Sequence, residues 1–289
     1  MLFMKTWRTV ASALSAIVVV SFASAPSAVA QPAHAAAHLA VSAVNQGTWA
    51  GYSVHVPATG TQVDGSWHVP EVSCGPSSGM PFEAFLSSRA APWIGFWGKD
   101  WTNARKTWIA QIGTSSSCHS GRSQYEAVAE MFHEGSGGDY GIHHLFWVKP
   151  GDHVKASVTY VGRRPDSRLL FNLGIDDIDA TSRGEPGTFR AIALTTPNEA
   201  EDNATYHAGC IVESDPAHDV NWPFRAGGLA QFQAPILFAP CHFNGRALGV
   251  WPGQTDWEMV RSSTDDPLEY LATVQYSGDH LTVTWRNWE

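Results

Sequence analysis

The stretch Tyr125-Glu126-Ala127-Val128-Ala129-Glu130-Met131-Phe132 alternates two sets of residues, and both of its acids belong to the same set. Successive side chains of a β-strand point to opposite faces. Tyr125, Ala127, Ala129 and Met131 are therefore expected to face a core, leaving Glu126, Val128, Glu130 and Phe132 on the other side. The run Thr107-Trp108-Ile109-Ala110-Gln111-Ile112 reads the same way: Trp108, Ala110 and Ile112 make a core face, and Gln111 goes opposite with Ile109. In Gly209-Cys210-Ile211-Val212-Glu213, Cys210 and Val212 separate from Gly209, Ile211 and Glu213. One sheet face is expected to carry Gln111, Glu126, Glu130 and Glu213.

Similar short runs recur between turn signals along the chain. They are Val63 to Val69, Trp93 to Trp97, His153 to Val161, Phe189 to Thr195, Tyr206 to Glu213, Leu229 to Phe238, Leu268 to Tyr276 and Leu281 to Trp285. Neither a long amphipathic helical pattern nor a βαβ rhythm interrupts them, so the expected class is all-β, an antiparallel β-sandwich. The 26 glycines and 17 prolines cut the chain too often for a coiled coil or a helical repeat. Gly135 to Gly141, followed by His143 and His144, reads as a mobile loop near a strand start.

A hydrophobic fraction of 44% with only 16% charged residues describes a globular chain that can bury a real core. Its formal charge of −9 leaves no basic stripe for a phosphate backbone, which argues against nucleic acid and anionic membranes as partners. Lys5 and Arg8 precede an apolar run from Val10, and Ala28-Val29-Ala30 supplies small residues at a cleavage position. Residues 1–30 thus read as a signal peptide and the protein as secreted, with no membrane anchor after cleavage. Residues 31–46 read as a flexible leader or propeptide remnant, and residues 47–289 as a single domain, with a monomer the default state.

Four cysteines, Cys74, Cys118, Cys210 and Cys241, suit an oxidising compartment and can pair in three ways. The expected pairs are Cys74 with Cys118 and Cys210 with Cys241. No CxxC, HExxH, GxSxG elbow, P-loop or dinucleotide fingerprint is present, so neither a cofactor nor a metal is expected.

Read in order, several segments resemble the glutamic endopeptidases, or eqolisins. They are Thr48-Trp49-Ala50-Gly51, Gly65-Ser66-Trp67-His68-Val69-Pro70, Trp93-Ile94-Gly95-Phe96-Trp97-Gly98, Ile109-Ala110-Gln111-Ile112-Gly113, Tyr125-Glu126-Ala127 and Ile211-Val212-Glu213. Gly151-Asp152 is similar to the family's GD turn, and Trp222-Pro223-Phe224 to its PFA segment. The resemblance implies a concanavalin A-like, jelly-roll sandwich of two bent sheets whose concave face holds a polypeptide substrate. It further implies a catalytic Gln111 and Glu213, acid operation, and substrate-binding duties for Trp49, Trp93, Glu130 and Glu126. Trp67 also matches a family position.

The chemistry suits that pair. A carboxylate can take a proton from an attacking water and return it to the leaving amine, while an amide can donate to the developing oxyanion. Several family positions are changed, however. Trp97 stands where the family has an acid, with Asp100 the nearest replacement. Ser115 replaces the acid four residues after the catalytic glutamine. Gly209 and Cys210 stand where Glu and Trp are usual, and Val128 replaces another Trp. The alternative expectation is thus a secreted, non-catalytic sandwich that binds peptide or carbohydrate.

Overall fold

The computed structural model describes residues 42–46, 49–56, 62–74, 87–99, 108–119, 122–133, 143–166, 168–195, 205–214, 231–251, 254–261, 269–270 and 272–285. The proposed signal peptide, Asp100, the Gly135–Gly141 loop and Trp222-Pro223-Phe224 lie outside these residues. The strands in chain order are β1 (Ser42–Gln46), β2 (Trp49–Val56), β3 (Gln62–His68), β4 (Val72–Ser73), β5 (Ser87–Lys99), β6 (Trp108–His119) and β7 (Arg122–His133). There follow β8 (His143–Trp147), β9 (His153–Arg163), β10 (Leu169–Asp177), β11 (Thr188–Thr195), β12 (Thr205–Ser214), β13 (Gln231–Phe232) and β14 (Ile236–Phe238). The last are β15 (Cys241–Phe243), β16 (Arg246–Ala247), β17 (Gln254–Arg261), β18 (Glu269–Tyr270), β19 (Ala272–Ser277) and β20 (His280–Trp285). One short helix, α1 (Ile178–Ser182), follows β10.

The larger sheet runs β1-β17-β2-β12-β5-β6-β7-β8, with β18 on β17, and the second runs β11-β10-β9-β3-β15-β16. A β13–β4 pair and a β14-β20-β19 sheet complete the described strands. All the pairings are antiparallel except β1 with β17, which is parallel. That strand takes the last five residues of the stretch read as leader. Backbone pairing needs no alternation of side chains, so Ser42-Ala43-Val44-Asn45-Gln46 gave no strand signal of its own.

The core forms where the two sheets face each other. Phe96 of β5 and Trp108 of β6 meet Phe171 of β10 at ring-centroid distances of 5.7 and 5.5 Å. Cys210 of β12 is bonded to Cys241 of β15, which ties the sheets together through the core, and Cys74 is bonded to Cys118 of β6. Both bridges are the expected ones. The alternation also holds: Trp108, Ala110, Ile112, Ala127, Ala129, Met131, Cys210 and Val212 are all buried in this core.

The expected runs leave out several strands, among them β2, β10 and β17. In β2 five consecutive residues, Ala50 to Val54, are buried, and a strand covered on both faces carries no period of two. In β10, by contrast, Leu169, Phe171, Leu173 and Ile175 do alternate into the core, so its signal was present in the sequence.

The Gly-Asp turn before β9 is a clamp. Asp152 accepts from the Lys149 backbone N–H at 2.9 Å and from both terminal nitrogens of Arg183 at 2.9 Å, while Asp177 caps α1 by accepting from Ala180 N–H at 2.7 Å. Burial alone would raise the Asp152 carboxyl, but these donors outweigh it and hold it low. Burial raises its buried neighbour Asp177, and the Asp152 carboxylate beside it pushes it the same way.

Candidate active site

The outer face of the larger sheet carries a second, smaller apolar cluster of Ala91, Trp93, Trp97, Ile109, Val128 and Ile211, with Trp49 packed against it. The polar residues expected on this face lie among them. Strand register explains how. Gln111 stands opposite Glu130 across β6 and β7, and also opposite Gly95 across β6 and β5. Glu213 of β12 stands opposite Trp49 of β2 on one side and Ala91 of β5 on the other.

Three of the four residues converge on one amide. Gln111 Nε2 donates to Glu130 Oε2 at 2.7 Å and to Glu213 Oε2 at 3.3 Å. Only the nitrogen end of an amide can face two carboxylates, so the chemistry fixes its orientation. Gln111 is 1% exposed, whereas Glu130 and Glu213 are half-buried. Its Oε1 is buried and accepts no hydrogen bond among the described residues. The amide is thus anchored by a short bond on one side and a longer one on the other.

Close backbone packing makes room for it. A Cβ on Gly95 would lie 2.7 Å from Gln111 Cβ and 2.6 Å from the Ala110 carbonyl oxygen, so a glycine is required beside the candidate catalytic amide. The β5–β6 ladder also skips Ala91 and Pro92, which matches the N–H that proline lacks.

The fourth expected residue, Glu126, is on the same face but belongs to another group. One of its oxygens lies 3.6 Å from Arg89 Nη2 and the other 2.8 Å from His144 Nδ1. Ser115, opposite Glu126 in register, accepts from Arg89 Nε at 2.6 Å. Sequence reasoning missed Arg89, because the strand was read as starting at Trp93, after the proline. Carrying the alternation back through Ala91 would have found it.

At the other end of the face, Trp97 stacks on His207 at 5.9 Å and 9° and meets the edge of Trp49 at 5.4 Å. A Cβ on Gly209 would lie 2.3 Å from the Tyr52 carbonyl oxygen and 2.9 Å from Trp97 Cη2. The neighbouring β2 backbone and the indole of Trp97 together occupy the space that a side chain at 209 would need. Burial, followed by the neighbouring His55, pushes the His207 imidazole down to about 4. Trp93 faces the same side but is 1% exposed, so it forms the floor of this face instead of an open wall. Trp67 is a core residue, its Nε1 donating to Thr114 Oγ1 at 2.9 Å.

Among the described residues no group of three or more His, Cys, Asp or Glu side chains could hold a metal ion. Nor is any helix among them long and apolar enough to cross a membrane.

Residues 47–173 match the family model of the Peptidase A4 family. Gln111, Glu126 and Glu130 fall inside this segment and Glu213 outside it. The crystal structure of aspergilloglutamic peptidase from Aspergillus niger aligns with 68% of this chain and 99% of its own, at 18% identity and a TM-score of 0.37. So low a likeness carries nothing further. No curated protein matches the chain.

Proposed function

The chain belongs to the Peptidase A4 family, a family of peptide hydrolases, through residues 47–173, and from that premise we propose that it is a secreted, monomeric glutamic endopeptidase acting in acid with Gln111 and Glu213 as its catalytic residues. The observation that carries this reading is the single amide that donates to Glu130 and Glu213 together.

Each part has a task. The short bond to Glu130 holds the Gln111 side chain, which makes Glu130 a positioning residue. The longer bond to Glu213 is the one a substrate displaces, freeing that N–H for the oxyanion that forms as the scissile carbonyl is attacked. Glu213, ionised, takes a proton from the attacking water and later delivers it to the leaving amine.

The test is digestion of a denatured protein from pH 2 to 7 by residues 31–289, beside Gln111→Ala and Glu213→Gln, with chelator and serine-reagent controls. Glu213→Gln is expected to abolish cleavage. Gln111→Ala is expected to lower kcat by roughly a hundred- to a thousandfold, as for other oxyanion donors. Full activity in Glu213→Gln, or loss to chelator or serine reagent, overturns the assignment.

A second reading, a binding protein without turnover, is favoured by one observation: Trp97, Ser115 and Gly209 replace carboxylates around the pair. Tight binding of peptide or carbohydrate by the folded wild type, with no cleavage at any pH, would establish it.

A further inference from the structure

We propose that Trp147 and His144, on the edge strand β8, form a shelf on the active-site face that takes an aromatic or large aliphatic side chain of the substrate, about three to five residues from the cleaved bond. This specificity role rests on the peptidase reading. A break in register puts the two rings together. Glu126 of β7 stands opposite Trp147 and Ala127 opposite Phe146, but Val128 stands opposite His144, so Leu145 is the extra residue of a β-bulge. Residues three apart on a regular strand point to opposite faces, whereas one extra residue between them returns both to the same face. That face is the outer one, because Val128 belongs to the outer apolar cluster while Ala127 and Phe146 pack in the core.

The shelf is both held and open. Trp147 is 61% exposed, and among the described residues no other Trp, Tyr or Phe is exposed. Its ring centroid lies 4.6 Å from that of His144. His144 Nδ1 in turn lies 2.8 Å from Glu126 Oε2, and Arg89 Nη2 lies 3.6 Å from the other oxygen of that carboxylate. The imidazole is thus fixed to β7 and the indole leans on it, with much of the indole surface left to solvent. A bound apolar side chain removes that surface from water, which is favourable in proportion to the area covered.

Distance from the catalytic residues sets which substrate position the shelf reads. In the sheet β8 is two strands from β6, or about 10 Å at the usual strand spacing. Gln111 stands opposite Glu130, and His144 and Trp147 stand opposite Val128 and Glu126, which is about 7 and 14 Å further along β7. The two rings therefore lie about 12 and 17 Å from the level of Gln111, a span that an extended peptide covers in about three to five residues. A residue flanking the cleaved bond directly falls short of β8.

The experiment uses quenched fluorogenic peptides that differ at one position only, with Phe, Leu or Ala scanned outward on both sides of the cleaved bond, at pH 4. At one position about three to five residues away, kcat/KM for Phe should exceed that for Ala on the order of tenfold, with Leu between them. Trp147→Ala should bring that ratio to about one, Trp147→Phe should keep most of it, and His144→Ala, which removes the support of the indole, should lower it in part. The preferences at the positions next to the cleaved bond should be the same in Trp147→Ala as in the wild type, a pattern that general damage would not produce. Cleavage with no Phe preference at a distant position, or with one that folded Trp147→Ala leaves unchanged, overturns the shelf and keeps the peptidase reading. Binding of fluorescein-labelled copies of these peptides to Glu213→Gln, read by anisotropy, separates the two claims. A Phe preference in binding that adding Trp147→Ala removes, with no cleavage by the wild type, overturns the peptidase reading and keeps the shelf. Absence of both cleavage and binding overturns both.

Discussion

The two ends of the outer sheet face are built in opposite ways. Around Trp97 the arrangement is steric: an indole lies over Gly209, stacks on His207 and touches Trp49. Around Ser115 it is electrostatic, with a small hydroxyl that accepts from Arg89 beside Glu126 and His144. Between them the Gln111 amide keeps its two carboxylate partners. The difference teaches that one face can be set by volume at one end and by charge at the other, and that the two ends should respond differently to an added carboxylate.

Placing a carboxylate at the aromatic end should do the most harm. Gly209→Glu drives a side chain into Trp97 and buries a charge with no described cation beside it, for an expected loss of about 3 to 5 kcal/mol. Equilibrium unfolding measures it, and a double-mutant cycle with Trp97→Ala, which removes the indole without adding a second carboxylate, should recover the part of the loss that comes from Trp97, with the Tyr52 backbone contact remaining. Additive losses would break the claim that the indole occupies part of that space.

The next effect concerns pH. His207 titrates near 4 in the folded chain, against an ordinary value of 6.5, so between these values the unfolded chain binds the extra proton. Stability from this group is fully present above pH 6.5 and is lost as the pH falls towards 4, by roughly 3 kcal/mol. Urea unfolding at pH 7, 5.5 and 4 should show a shallower acid limb for His207→Gln than for the wild type. An unchanged slope would sink this reading. Asp177 has the opposite sign, because a raised carboxyl contributes below its unfolded pKa and loses that contribution as the pH rises through the folded one.

The smallest effect belongs to the cationic end. Ser115 is buried, so Ser115→Asp desolvates a carboxylate, but it meets the Arg89 guanidinium and should cost less stability than Gly209→Glu, whose new charge meets no described cation. A loss as large as that of Gly209→Glu would erase the distinction between the two ends.

Alternation read correctly the faces of β6, β7 and β12, because each has one side in the core and one on the outer face. Gln111, Glu126, Glu130 and Glu213 were therefore legible as sharing a surface. Which of them touch was not legible, since that depends on β12 lying between β2 and β5, a pairing across long stretches of chain. The packing of Trp97 over Gly209 was equally hidden, because it joins two residues of different strands. Trp93 was placed on the proper face, yet alternation says nothing of what else covers a residue.

The position of β12 also governs when the site comes into being. Glu213 sits on a strand that is inserted between two much earlier ones, β2 ending at Val56 and β5 at Lys99, and β12 itself starts only at Thr205. Long-range pairing of this kind is slow, and synthesis delivers the early strands first. While the ribosome holds a shorter nascent chain, Gln111 and Glu130 can already pair across adjacent strands, but the second carboxylate has not yet been made. With Glu213 in the proposed catalytic role, a hydrolase built this way would be inert toward its own emerging chain until most of the protein has been translated.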